Sequence, residues 1–434
     1  MAIIQASIPL FFLLIGLELL VAVVRRERLA RLNDSITDLS LGIFSQLTGV
    51  FTKLFSVGLY IAAAQYLAVQ RFTALPAWID RPPFVPADGW PGLAVDWPAF
   101  ASWAAVFLLV DLCYYWSHRL SHVVNVLWAG HVVHHSSEEY NLSVALRQSS
   151  LHGLFTWVFY LPLALIGVPA EMFIACYALN LVYQFWIHTR AVGRLGWLEA
   201  ALNTPSHHRV HHGVNPRYLD RNYAGVFIVW DRMFGTFEPE REQPVYGITT
   251  PLASWNPVWA NVHQFVDIAR KAWRAERWSD RWQYVFGHPA WRPQAEGGRV
   301  RIVETRPAAL EKYDPPVPKP IAWYALLQFA LTLVASVQIL AAAGTLPVPQ
   351  LAALTFFVML SLVNIGGLLE RQRWALSMEA ARLVALAAAA AALSASGGAA
   401  PAVAGALAVL ALGSGVWLLR LRRHLTAELV VAIM

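Results

Sequence analysis

The sequence predicts an all-α, polytopic membrane bundle, on three observations. Hydrophobic residues make up 57% of the 434-residue chain and charged residues only 14%, and the mean hydropathy is +0.46, which sets it apart from soluble domains. Apolar runs long enough to cross about 30 Å of hydrocarbon as helix recur along the chain. The net charge of +6 is carried mainly beside these runs rather than in one soluble patch. That arrangement speaks for anchoring at a membrane surface and against a nucleic-acid partner.

The first run, 4–24, has no basic residue before it and RRER after it from Arg25. A cleaved signal has its basic residues first, so this reads as a retained span with its N-terminus outside. Runs follow near 38–68, 98–117, 151–167 and 170–188, then near 321–343, 350–369, 378–397 and 400–420. The GVP at 167–169 makes 151–188 a tight hairpin, and hydrophobicity alone leaves open whether it crosses. With all nine runs spanning, RRERLARLND, 118–150, 189–320, ERQR at 370–373 and the tail from Arg420 fall on one side. These segments hold most of the Arg and Lys, which makes that side cytoplasmic. Lys53, alone in the second run, reads as snorkelling or interior-facing rather than catalytic. Cys113 and Cys176 both lie in apolar stretches and offer neither a disulfide framework nor a short-spaced metal pair, so the redox compartment stays open. Composition divides the chain into 1–97, N-terminal spans and a loop; 98–320, a catalytic domain rich in Pro, Trp and charge beyond 189; and 321–434, an Ala-rich module of about four spans.

Three histidine boxes carry the functional signal. HRLSH sets His118 and His122 at i and i+4, one helical turn apart where the third span ends. HVVHH sets His131, His134 and His135 at i, i+3 and i+4, and SHHRVHHG repeats that spacing as His208, His211 and His212, each box presenting its imidazoles to one side. His188 ends the fifth run at a depth matching His118 and joins the candidate ligands. His207 exceeds the spacing of its box and is left open. His152, His263, His288 and His424 stand alone and read as ordinary polar residues.

Eight or nine imidazoles exceed what one metal needs, so the fold class extends to a bundle with a cytoplasmic, histidine-rich di-metal cap. Zinc has no redox chemistry and the HExxH arrangement of hydrolytic sites is absent, whereas iron exchanges electrons and binds dioxygen. The reaction this implies is oxidation of an unactivated C–H bond. A bis-imidazole haem would pair single histidines on facing helices at membrane depth, which the clustering at helix ends argues against. Glu138, beside the second box, is the candidate catalytic carboxylate, orienting a histidine or balancing charge; Glu139 reads more as a solvated helix-end charge.

At these residues the sequence resembles the fatty acid hydroxylase and sterol desaturase superfamily of membrane di-iron enzymes, with its ordered HxxxH, HxxHH and HxxHH boxes. More narrowly it is similar to the alkylglycerol monooxygenase branch, through DLCYYWSHRLSH from Asp111, LWAGHVVHHSSEEYNLSVALRQS from Leu127, NTPSHHRVHHGVNPRYLDRNYAGVFIVWDRMFGTFEPE from Asn203 and SWNPVWANVHQF from Ser254. The resemblance runs from roughly 100 to 290 and implies two Fe ions, a lipid substrate and hydroxylation beside an ether oxygen with dioxygen and a tetrahydropterin. It departs at Val123, where that branch carries an acid. Tyr140, Asn141 and Arg147 match it without a role that the sequence supplies. No dinucleotide fingerprint, haem or flavin module occurs in the chain, so electrons come from a pterin or an external donor. Two rival classes remain: a sterol, carotenoid or acyl-lipid hydroxylase or desaturase, and a membrane metal-binding or transport protein, which would spread its polar groups across membrane depth. The membrane is a bacterial inner membrane or endoplasmic reticulum.

Overall fold

The computed structural model describes residues 2–73, 75–86, 93–300, 311–395 and 401–426. The chain divides into two units, Met1–Leu252 with Asn261–Lys312, and Ala253–Ala260 with Tyr313–Met434. Long helices α1 (Ala2–Arg25), α2 (Leu32–Leu67) and α3 (Trp97–Val123) lead into α4 (Asn125–His135), α5 (His152–Thr156), α6 (Leu161–Leu165), α7 (Ala170–Trp186), α8 (Pro205–His211) and α9 (Val229–Met233). After α10 (Pro257–Arg274) and α11 (Trp278–Phe286) come α12 (Lys319–Ala342), α13 (Val348–Leu369), α14 (Arg373–Ala395) and α15 (Pro401–Thr426). The exception to helix is a two-stranded antiparallel ribbon between α2 and α3, β1 (Phe84–Pro86) with β2 (Leu93–Val95).

Among the described residues seven helices, α1–α3 and α12–α15, are long and apolar enough to cross a membrane, which makes this an integral membrane protein. The sequence shows nine runs, and the difference lies in 151–188. Pro162 cannot donate to a helical ladder, and the run breaks into α5, a 3-10 turn at Trp157–Tyr160, and α6. Gly167, at φ +72°, then turns the chain into α7. With 17 residues, α7 is about 25 Å long, short of the hydrocarbon. Counting only these seven helices, or adding a pair of crossings from 151–188, gives the same parity for the remaining spans.

The sequence positions α3 by a local device: Asp96 caps the helix by accepting from Ala99 N at 3.1 Å, with Pro98 in the first turn. Its apolar face, Val106 and Val110, packs with Tyr60, Leu163, Val168, Met172 and Cys176, so α2, α3 and α7 share one core. Helix α2 is longer than its apolar run. Its first turns bury Asp34, Thr37, Asp38 and Ser40, which face the loop after α4. Lys53, half-buried, folds back along α2, its Nζ 3.4 Å from Gln46 Oε1. The side chains of Arg422, Arg423 and His424 in the basic tail lie outside the described residues.

Candidate metal centre

The histidines of the three boxes, with His188, converge in two buried groups. His118, His122, His131, His135 and His211 form one, and His134, His188, His208 and His212 the other; within each, every residue offers a nitrogen within 4.8 Å of the others. Both groups consist of histidine alone. They stand side by side, with the His135 and His212 rings stacked at 4.3 Å.

Each triple box is split between the groups rather than presented to one side. The i, i+4 pair His131/His135 goes to one group and His134 to the other; His208/His212 goes to the second and His211 to the first. Helical geometry explains this. At about 100° per residue, i and i+4 lie about 40° apart, whereas i+3 is turned about 100° from i+4. His118 and His122 supply the first group from the end of α3, and His188 supplies the second from the end of α7.

Backbone carbonyls fix the ring tautomers. Nδ1 of His118 donates to Tyr223 O at 2.7 Å, His134 to Arg147 O at 3.1 Å, His188 to Gln184 O at 2.7 Å and His211 to Arg221 O at 3.0 Å. This leaves Nε2 of each as a lone-pair acceptor. Yet Nε2 of His134 and Nε2 of His188 face each other at 3.2 Å. Two acceptors at that separation repel unless a cation lies between them. Similar Nε2 to Nε2 separations join His118 to His131 at 2.9 Å, His135 to His211 at 3.2 Å and His188 to His208 at 2.9 Å. Two imidazoles bonded to one ion at right angles, with bonds of about 2.1 Å, stand about 3.0 Å apart. His122 Nε2 in one group and His212 Nε2 in the other are buried without a hydrogen-bond partner among the described residues. The donor set therefore fits one ion per group.

Electrostatics favours the neutral ligand form. Burial, reinforced by neighbouring imidazoles, holds His131, His135, His208 and His212 well below the ordinary histidine value. Burial pushes His134 down to about 4, with the Arg147 cation adding to it, and His211 to about 3.

Buried acids outside the boxes build the frame. Asp111, seven residues before His118, accepts from Val226 N at 2.8 Å, Phe227 N at 3.0 Å, Trp230 Nε1 at 2.9 Å and Asn180 Nδ2 at 2.6 Å. It ties α3 and α7 to the loop that supplies the His118 carbonyl partner. Gly225 sits so close that a Cβ would lie 2.8 Å from Asp111 Oδ1. Asp231 accepts from Tyr223 N and Ala224 N, each at 2.8 Å, on the other side of that loop, and burial raises it to about 6. Arg147, 1% exposed, donates Nε to Val133 O at 2.7 Å and pairs with Asp38 at 3.0 Å, clamping α4 to α2. Glu18 in α1 accepts from Leu142 N at 2.8 Å and from Thr189 Oγ1. Sequence reasoning missed these acids, although the signal was available: Glu18, Asp38 and Asp111 all lie in apolar runs, where a carboxylate demands a partner.

Glu138 lies 3.4 Å from Arg31, and Glu139 is held by Arg31 at 2.8 Å, Arg190 at 3.3 Å and Lys312 at 2.7 Å. Glu139 is 5% exposed, an ion-pair hub rather than a solvated charge. Tyr140 donates to Ile187 O at 3.0 Å with its ring 5.2 Å from that of His212, and Asn141 donates to Leu29 O at 3.0 Å. Of the remaining histidines, His152 bonds Ser121 Oγ at 3.1 Å with its ring 5.0 Å from that of His131. His207 turns away onto Phe237, and His288 lies 3.1 Å from Asp220.

The fatty acid hydroxylase family model matches residues 103–236, the segment that holds all nine histidines of the two groups. Across 375 residues the chain is 36% identical to the alkylglycerol monooxygenase of Xenopus tropicalis, covering 86% of this chain and 78% of that one. Across 383 residues it is 37% identical to the Homo sapiens alkylglycerol monooxygenase, covering 87% and 80%. An ornithine lipid hydroxylase of Rhizobium tropici shares 28% identity over 167 residues, 38% of this chain and 50% of that one. No solved structure matches. A histidine-lined, metal-ready site at the end of a membrane span, within a fatty acid hydroxylase domain, defines a membrane-embedded lipid monooxygenase. This chain belongs to the alkylglycerol monooxygenase family.

Proposed function

We propose that the two histidine groups hold two iron ions and that the enzyme cleaves the ether bond of alkylglycerols. His118, His122, His131, His135 and His211 would hold one ion, and His134, His188, His208 and His212 the other. The observation that carries the metal reading is the approach of two lone-pair nitrogens, His134 Nε2 and His188 Nε2, to 3.2 Å. When bound, iron supplies the redox change by which dioxygen is split and one oxygen atom enters a C–H bond. The carbonyls of Tyr223, Arg147, Gln184 and Arg221 keep Nδ1 of His118, His134, His188 and His211 protonated and the Nε2 of these four aimed inward. Burial excludes water and keeps the imidazoles neutral. Among the described residues neither group contains a carboxylate ligand; Glu138 and Glu139, held by Arg31, Arg190 and Lys312, anchor the loop that follows the second box.

The substrate reading rests on the family and on bond strength. An ether oxygen stabilises radical or cationic character on its neighbouring carbon, which makes that C–H bond the weakest along an alkyl ether. One atom of dioxygen forms the carbinol and the other leaves as water, with two electrons and two protons drawn from a tetrahydropterin. The resulting hemiacetal collapses to fatty aldehyde and glycerol. Span parity and the Arg bias support a cytoplasmic position for the histidines, with a bacterial inner membrane or endoplasmic reticulum as the proposed membrane and 98–320 as the proposed catalytic domain between the N-terminal spans and the 321–434 module. Membranes carrying the protein, given an alkylglycerol, dioxygen and tetrahydropterin, should yield fatty aldehyde by mass spectrometry. Aldehyde that needs the pterin and vanishes in His135→Ala supports this reading. A hydroxylated or desaturated native lipid without aldehyde moves the substrate to the sterol, carotenoid or acyl-lipid class.

A further inference from the structure

Helices α10 and α11 carry a surface that the oxidation chemistry does not use. On α11, Trp278, Trp282 and Phe286 recur every fourth residue and are 72%, 60% and 52% exposed, while Tyr284 on the other side is buried. On α10, Trp273 is 86% exposed and Ile268 is buried. Three tryptophans held open within ten residues are costly in water, at about 25 cal/mol for each Å² of apolar surface left uncovered. Interleaved with them are Arg270, Lys271, Arg274, Arg277 and Arg281, against Asp267, Glu276 and Asp280, with Lys271 paired to Asp267 at 2.6 Å. Tryptophan with arginine at the edge of an amphipathic helix is the composition of a membrane–water interface.

The place of these helices fixes what covers them. Helix α3 is a membrane span ending at Val123, and Asn125 opens α4 one residue after the connecting Val124. Asn125 N donates to Gly287 O at 2.9 Å and Asn125 Nδ2 to Tyr284 O at 2.8 Å, and its Oδ1 accepts from Gln264 Nε2 of α10 at 2.9 Å. One side chain thus pins both helices to the point where a span leaves the hydrocarbon, and to the start of the helix bearing His131, His134 and His135. The occupant argued by depth and by charge is the anionic lipid surface of the protein's own bilayer. We propose that the 264–286 segment is an in-plane membrane anchor. Trp273, Trp278, Trp282 and Phe286 enter the headgroup–acyl boundary, the basic residues meet lipid phosphates, and Asn125 transmits that depth to α4.

The test uses the full chain reconstituted in phosphatidylcholine vesicles with and without phosphatidylglycerol. In a Cys113→Ala/Cys176→Ala background, Trp273→Cys and Trp282→Cys receive a nitroxide, and its collisions with dioxygen and with a water-soluble nickel chelate are compared. The proposal expects both labels about 5–10 Å below the phosphates, with dioxygen collisions dominant, and deeper with phosphatidylglycerol. Arg274→Glu/Arg277→Glu/Arg281→Glu should abolish the phosphatidylglycerol effect. If the cysteine replacements prevent folding, amide exchange of 264–286 in the unaltered chain gives the same reading: protection in vesicles that exceeds protection in detergent and rises with phosphatidylglycerol. Labels or amides fully open to water in both vesicles overturn it, as does protection that appears only when a soluble protein fraction is added. These readouts do not depend on turnover, so they stand apart from the fate of the ether-cleavage reading.

Discussion

The histidine groups of the first unit and the polar core of the C-terminal four-helix unit both bury polar side chains, but only the second pairs its charges within itself. Glu379, 1% exposed, accepts from Tyr324 Oη, from Asn364 Nδ2 at 2.7 Å and from Arg382 at 2.6 and 2.8 Å. Arg382 also donates to Gln328 Oε1 at 2.6 Å, and Gln328 donates to Ser414 Oγ at 2.9 Å. Helices α12, α13, α14 and α15 each contribute, and the carboxylate is fully engaged. In the first unit, Nε2 acceptors confront one another, and those of His122 and His212 have no hydrogen-bond partner among the described residues. In the C-terminal unit the charges pair with each other, although Asn364 Oδ1 has no partner among the described residues; in the first unit lone pairs face one another, an arrangement that a cation would satisfy.

Mutations at the two cores should separate these roles. The largest effect is expected at the ligands: His135→Ala or His212→Ala lowers turnover to background and reduces bound metal, measured as activity and metal per chain on folded protein. Retention of both would place these groups with the structural networks. Next comes Glu379→Ala, which leaves Arg382 buried without its partner and should cost about 3–5 kcal/mol of stability. Thermal unfolding in detergent reads that loss, while metal per folded chain stays at the wild-type level. A fall in metal content at unchanged stability would break the distinction.

Asp111→Ala should act between the two classes. It frees the loop that supplies Tyr223 O and so loosens His118, with metal affinity or activity expected to fall about 10–100-fold, as for other groups that orient ligands. An unchanged metal titration would show that the loop holds its shape without the acid. The smallest effect belongs to Lys312→Ala, whose side chain is 44% exposed where it meets Glu139. The expected change is under about 1 kcal/mol, with activity retained; a larger loss would make the Glu139 hub part of the site proper.

Much of the metal centre was legible because local sequence dictates it. Spacings of three and four put imidazoles on adjoining faces of α3, α4 and α8, and His188 was marked by its depth at the end of an apolar run. The division of each box between two groups was also available from the 3.6-residue period, since His134 and His211 fall at i+3. What stayed hidden depends on contacts distant in sequence: Tyr223 O reaching His118, Asp38 reaching Arg147, and Glu18 reaching Leu142 N. The spans were legible in the same uneven way. Hydrophobicity marked 151–188 as apolar, but Pro162 and the bend at Gly167 break it into short helices rather than two long spans.

The nine histidines are proposed to hold a pair of redox metals. Iron analysis of protein purified without chelator, alongside His134→Ala and His135→Ala, tests it most directly. The expected result is about two irons per chain in the unaltered protein, with His134→Ala and His135→Ala each weakening the ion held by its own group first. One tightly bound iron with no second site, or full activity with zinc alone, would contradict it.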